Sequence, residues 1–185
     1  MKKADLSDRA AVMRYDRSCT LELTALFPAQ CREAMAIGRS FTVSRSFAHR
    51  YETIVCTGLG GSAIGADIAR SYLADTSATP IFVNRNYGLP GFVNKKSLVI
   101  VSSYSGNTEE TLAAYKDARS RGARIIAITS GGALKKMASA DGFPVVVIPA
   151  LLPPRSALGY SFFTLLTVLS KLDRKSTRLN SSHRL

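Results

Sequence analysis

Cysteine is scarce in the 185 residues: Cys19, Cys31 and Cys56 are odd in number and lack the paired short spacings of a zinc site or a secreted disulfide framework. They read as reduced thiols of an intracellular protein. Histidine is scarcer still, with only His49 and His183. His49 precedes the first predicted strand, at the amino edge of the sheet, and reads as a surface residue. Long apolar runs are missing too. No stretch of signal-peptide length opens the chain, and the longest lipophilic stretch, residues 157–169, is interrupted by Ser, Thr and Tyr and falls short of the roughly 20 residues a spanning helix needs. A cytoplasmic protein is expected, with no membrane partner, no metal and no cofactor. Internal repeats and low-complexity linkers are absent as well.

Acidic residues are few, 13 against 25 Lys and Arg, for a net charge of +12. Such an excess favours nucleic acid when it is clustered, because basic side chains gain affinity by releasing counterions from phosphates. Here the charges occur singly or in pairs, with no aromatic-rich basic stripe. They read as a solvated surface, and no nucleic-acid partner is expected. The end of the chain adds to the excess. DRKSTRLNSSH (Asp173 to His183) resembles an in-frame translation of a common sequencing adapter, and residues 173–185 are expected to be a non-native tail. They hold four basic residues and one acidic, which leaves 21 and 12 in the remainder, net +9.

What is present is rhythm. The first fifty residues are helical in pattern, two short helices around Pro28 with apolar positions such as Leu21, Leu23, Leu26, Met35 and Ile37. From Tyr51 short apolar runs alternate with longer amphipathic segments, the signature of βαβ units and a parallel sheet. Five strands are predicted, at 53–57, 80–84, 97–102, 124–129 and 144–148, with helices at 62–74, 108–121 and 133–140. The strands are continuous β-branched runs, as expected when both faces are covered. After Pro153-Pro154, residues 156–172 read as one long helix, apolar on nearly every side. Such a face calls for a second domain, a partner subunit or a fully buried position.

Ligands of such a sheet bind at the carboxyl ends of its strands, and two loops there stand out. GLGGSAIG (Gly58 to Gly65) follows the first strand; its glycines allow a sharp turn and close approach, and the next helix offers free N–H groups to an anion. SSYSGNTEETL (Ser102 to Leu112) follows the third. Ser103, Ser105 and Thr108 are spaced to converge on a phosphate, while Asn107 reads as the helix cap with Glu110 as its reciprocal partner. Gly58-Leu-Gly60-Gly-Ser-Ala63 also satisfies G-x-G-x-x-G/A. An NAD site needs an acid at the end of the second strand, however, and Asn84-Arg85 stands there, leaving only a poor NADP version.

GLGGSAIGADI, SYSGNTEETL and PRSALGYSF (Pro154 to Phe162) together resemble sugar isomerase (SIS) domains, and in combination the bifunctional phosphoglucose/phosphomannose isomerase family. The resemblance covers about residues 51–172. It implies an α/β fold, a flavodoxin-like three-layer αβα sandwich with a five-stranded parallel sheet preceded by short N-terminal helices. Residues 1–48 would form that helical segment and 49–172 the sugar-phosphate-binding domain. Position by position, Gly60, Gly61 and Ser62 would line the sugar side, Ser103, Ser105 and Thr108 would hold the phosphate, and Arg155 would act catalytically on negative charge in the reacting sugar. The implied reaction converts glucose 6-phosphate or mannose 6-phosphate to fructose 6-phosphate through a cis-enediol.

Family members carry a second SIS domain, and the catalytic glutamate and ring-opening histidine belong to the part beyond the adapter-like sequence. The chain is therefore expected to be an N-terminal fragment that binds a hexose 6-phosphate without isomerising it, from a protein that is a homodimer at full length. Glu109 and Glu110 would repel a phosphate if they pointed inward, and are expected to favour the helix start from the solvent side. Asp67 reads as a helix-start acid. A regulatory SIS module that senses a sugar phosphate without catalysis is the alternative, although fifty residues are short for a DNA-binding module plus linker.

Overall fold

The computed structural model describes residues 7–42, 44, 47, 51–150 and 152–173. His49, His183 and, beyond Asp173, the adapter-like tail lie outside the described residues. In chain order the elements are helices α1 (Arg9–Tyr15), α2 (Thr20–Ala25) and α3 (Phe27–Ser40), strand β1 (Thr53–Thr57), α4 (Gly61–Tyr72), β2 (Ile81–Asn84), β3 (Ser97–Ser103), α5 (Glu109–Ser120), β4 (Arg124–Thr129), α6 (Gly132–Ala140), β5 (Val145–Val147), a 3-10 turn (Pro154–Ala157) and α7 (Leu158–Asp173). Each predicted strand appears within about one residue of its expected ends.

The five strands form one sheet in the order β2-β1-β3-β4-β5, and every pairing is parallel. Because side chains alternate across a strand, each central strand feeds two cores. Ile54, Cys56, Leu98, Ile100, Ile126 and Ile128 face α3, α4 and α7. Val55, Val99, Val101, Ile125 and Ala127 face α5 and α6. This is the expected three-layer αβα sandwich. All seven residues of β3 are buried, whereas β2 and β5 are partly open, as central and edge strands should be.

The amino-terminal segment departs from the two helices read in the sequence. Three form, and Pro28 does not separate a pair but sits in the first turn of α3, where its missing N–H is no loss. No residue of α1 or α2 is buried. Only α3 enters the core, through Ala34. Its partner is α7, and the contact is close because small residues permit it: a Cβ on Gly38 would lie 2.6 Å from Thr167 Cβ, and one on Gly159 would lie 2.3 Å from Gln30 Oε1. Much of the apolar surface of α7 is thereby covered inside the molecule. Tyr160, Leu165, Val168, Leu169 and Leu172 are buried, with α3 on one flank and α4 on the other. Leu158, Phe162, Phe163 and Leu166 stay half-buried, so α7 is covered on its α3 and α4 sides and is not the fully buried helix that was one of the alternatives.

Candidate sugar-phosphate site

β1 and β3 are neighbours, yet the chain leaves them in opposite directions, β1 through α4 to β2 and β3 through α5 to β4. A crevice opens at such a reversal, beyond the carboxyl ends of the two strands. Both glycine-containing loops singled out in the sequence lie there.

The loop after β3 forms a cradle. Ser103 is 2% exposed, and its Oγ lies 2.9 Å from Thr108 Oγ1 while accepting a hydrogen bond from Gly106 N at 3.1 Å. Ser105 is exposed, and its Oγ accepts from Asn107 N at 3.2 Å. Three hydroxyls thus edge the start of α5. Asn107 is not the cap expected of it: Thr108 occupies the cap position, with no side-chain bond to the helix. The first amides of α5, on Glu109, Glu110 and Thr111, therefore keep their hydrogens for something else. An anion is what the end of a helix in this state attracts.

Asn107 instead turns to the neighbouring loop, where its Oδ1 accepts from Ala133 N at 2.9 Å. That third loop, Ser130-Gly131-Gly132 after β4, went unremarked in the sequence. Ser130 N and Ser130 Oγ both donate to Tyr104 O, at 3.1 and 2.6 Å, and Leu134 N donates to Gly106 O at 2.9 Å. The fit admits no side chain at Gly106: its φ is +70°, and a Cβ would meet Gly131 O at 1.9 Å. A strand-to-helix loop with paired glycines and a hydroxyl is the same signal as in the first loop. It was legible, and its task is to brace the cradle.

The loop after β1 supplies the opposite wall. Gly60 caps α4 with φ of +53° and is exposed, with nothing within 4 Å of where a Cβ would be. Ser62 is buried at the start of α4. Gly58 allows this loop to close on β3, since its Cβ would stand 2.7 Å from Ser102 O. A Cβ on Gly61 would stand 2.9 Å from Pro154 O, which puts the backbone just before Arg155 against the glycine loop. Arg155 is exposed and makes no ion pair or hydrogen bond among the described residues. An unpaired guanidinium thus rises from a segment in contact with the site.

Other charged groups are engaged elsewhere. Tyr87 has its hydroxyl pKa raised by desolvation, by the charges of Glu109 and Glu110 and by a hydrogen bond with Glu109. Glu109 is exposed and close enough for its charge to act on that phenol, on the solvent side of the helix start. Asp67 lies in the second turn of α4 and pairs with Arg85 and Arg70. It is not at the helix start, and it occupies the cation that the NADP version would have needed. Cys56, buried beneath the loops in β1, has its thiol pushed up to about 12 by burial and is chemically quiet.

The SIS domain family profile matches residues 35–141. A bifunctional phosphoglucose/phosphomannose isomerase of Caldicellulosiruptor bescii is 53% identical over 145 residues, which is 78% of this chain and 42% of that protein. The chain spans less than half the length of the curated relatives it matches. Among solved structures, the C-terminal domain of glucosamine-fructose-6-phosphate aminotransferase from Francisella tularensis superposes with a TM-score of 0.70 at 16% identity, over 87% of this chain and 50% of that one. The Vibrio vulnificus NanR protein complexed with ManNAc-6P gives 0.60 at 16% identity, over 89% and 66%. At such identity these two likenesses bear on the fold alone.

Proposed function

The chain belongs to the SIS domain family, and from that premise we propose that it is the sugar-phosphate-binding part of a bifunctional phosphoglucose/phosphomannose isomerase. The observation that carries this reading is the crevice between β1 and β3. An uncapped helix start ringed by Ser103, Ser105 and Thr108 faces a glycine wall of Gly60, Gly61 and Ser62, with the unpaired Arg155 beside it. The phosphate of glucose 6-phosphate, mannose 6-phosphate or fructose 6-phosphate would sit on the α5 amides and hydroxyls, with the sugar lying across the strand ends toward Arg155.

In the isomerisation a base moves a proton between C2 and C1, and negative charge builds on the enediolate oxygens. The guanidinium of Arg155 would stabilise that charge as it forms, which is where an electrostatic contact accelerates a reaction. Glu109, the carboxylate beside the cradle, is exposed at the first turn of α5. The proton-transferring glutamate and ring-opening histidine would come from the part of the longer relatives that this chain does not span. We therefore assign residues 49–172 to ligand binding, residues 173–185 to a non-native tail, and the full-length protein to a cytoplasmic homodimer.

Titration of the isotope-labelled chain with fructose 6-phosphate tests the reading. Saturable amide shifts are expected at Gly60, Ser105, Gly106 and Glu109, with no conversion of glucose 6-phosphate in a coupled assay. Shifts confined to surfaces away from these loops would refute the site, and turnover by the purified chain would refute the division of labour. Turnover by the uninterrupted gene product separates an isomerase from a sensor of sugar phosphate.

A further inference from the structure

Arg155 has an unpaired head and a tightly held base. The residue after it is fixed from the amino-terminal side of the molecule: Gln30 Nε2, on α3, donates to Ser156 O at 2.8 Å. Three residues before it, Leu152 N donates to the hydroxyl of Tyr104 at 3.0 Å. Between Leu152 and Arg155 stand Pro153 and Pro154, whose rings fix φ and leave the segment little freedom to absorb a displacement. The direction in which Arg155 leaves the backbone is thus set at Leu152 and Ser156.

Tyr104 is the residue between Ser103 and Ser105. Its carbonyl is held by Ser130, and its side chain reaches away from the cradle to the 152–155 segment, 48 residues on. On the reading of Arg155 given above, we propose that Tyr104 is a positioning residue that ties the phosphate cradle to the arginine, with Gln30 as its counterpart on the other side of the turn. One side chain in the loop that grips phosphate then fixes where the charge-stabilising group stands at the far end of the sugar.

Calorimetric titration of the chain with two probes separates this role from a structural one. Inorganic phosphate reports the cradle alone; 5-phospho-D-arabinonate adds a carboxylate where the enediolate oxygens would lie. Tyr104→Phe is expected to weaken the arabinonate about threefold to tenfold, the span of one hydrogen bond, and to leave phosphate binding unchanged. Gln30→Met, which removes the other tether, should show the same selectivity. Combined with Arg155→Ala, neither change should weaken the arabinonate further, because the group being positioned is gone. Wild-type affinity for the arabinonate in both tethering variants, equal loss for both probes, or full additivity with Arg155→Ala would each overturn the proposal. Wild-type affinity in Arg155→Ala itself would instead overturn the role of the arginine, and the tether with it.

Discussion

Glycine 106 shows most sharply how one residue can decide the site. It combines a left-handed φ of +70° with a carbonyl 1.9 Å from where a Cβ would stand, whereas Gly60, with φ of +53°, has open space. Gly60→Ala therefore meets only the conformational penalty of its φ +53°, ψ −127° backbone, roughly 1–3 kcal/mol. Gly106→Ala adds displacement of the braced 131–132 backbone, and is expected to cost about 3 kcal/mol or more in urea unfolding and to abolish binding of inorganic phosphate. Equal stability of the two variants would show that the third loop does not brace the cradle. The sequence assigned Asn107 to its own helix start, whereas in the fold it bonds a neighbouring loop. Capping its own helix and bonding Ala133, 26 residues away, demand the same side chain, and only the approach of two loops selects between them.

At the level of elements, α5 does more than present its amino end. From its outer half Asp117 accepts from Leu89 N at 2.8 Å, and Arg121 bonds both Asp117 and the carbonyls of Leu89 and Pro90. This pins the loop after β2 onto the helix, with both side chains about a quarter exposed. Burial works to raise the Asp117 pKa, but the Leu89 amide and Arg121 outweigh it and hold the carboxyl below its ordinary 3.8. A pKa lower in the folded chain means stability that is present above the ordinary value and lost as pH falls through the folded one. Asp117→Asn should thus destabilise by about 1–3 kcal/mol at pH 7, and the gap to wild type should close in acid below pH 3.8. Melting curves across pH check this; a gap that persists undiminished in acid would point to packing.

For the whole molecule the question is which parts the fold requires. Residues 7–26 contribute nothing buried, and Leu172 is the last residue described as buried, while α3 covers a flank of α7. A chain trimmed to residues 27–172 is expected to melt cooperatively, within a few degrees of the parent. Trimming through Ser40 should expose the face of α7 that carries Tyr160, Thr164 and Thr167 and yield aggregation or a non-cooperative melt. Comparable melting of both trimmed chains would mean that α3 is dispensable. The sequence by itself determined the sheet and its layers, because runs such as Ser97–Ser103 and Arg124–Thr129 are apolar on both faces and can exist only between helices. It also determined where to look, since glycine and hydroxyl loops after β1 and β3 need no partner to be recognised. Tertiary structure alone decided what covers α7, that Arg85 is occupied by Asp67, and how the Arg155 turn is held. Those contacts join residues as far apart as Gln30 and Ser156, 126 positions, and local pattern carries no information about which distant side chain completes a hydrogen bond.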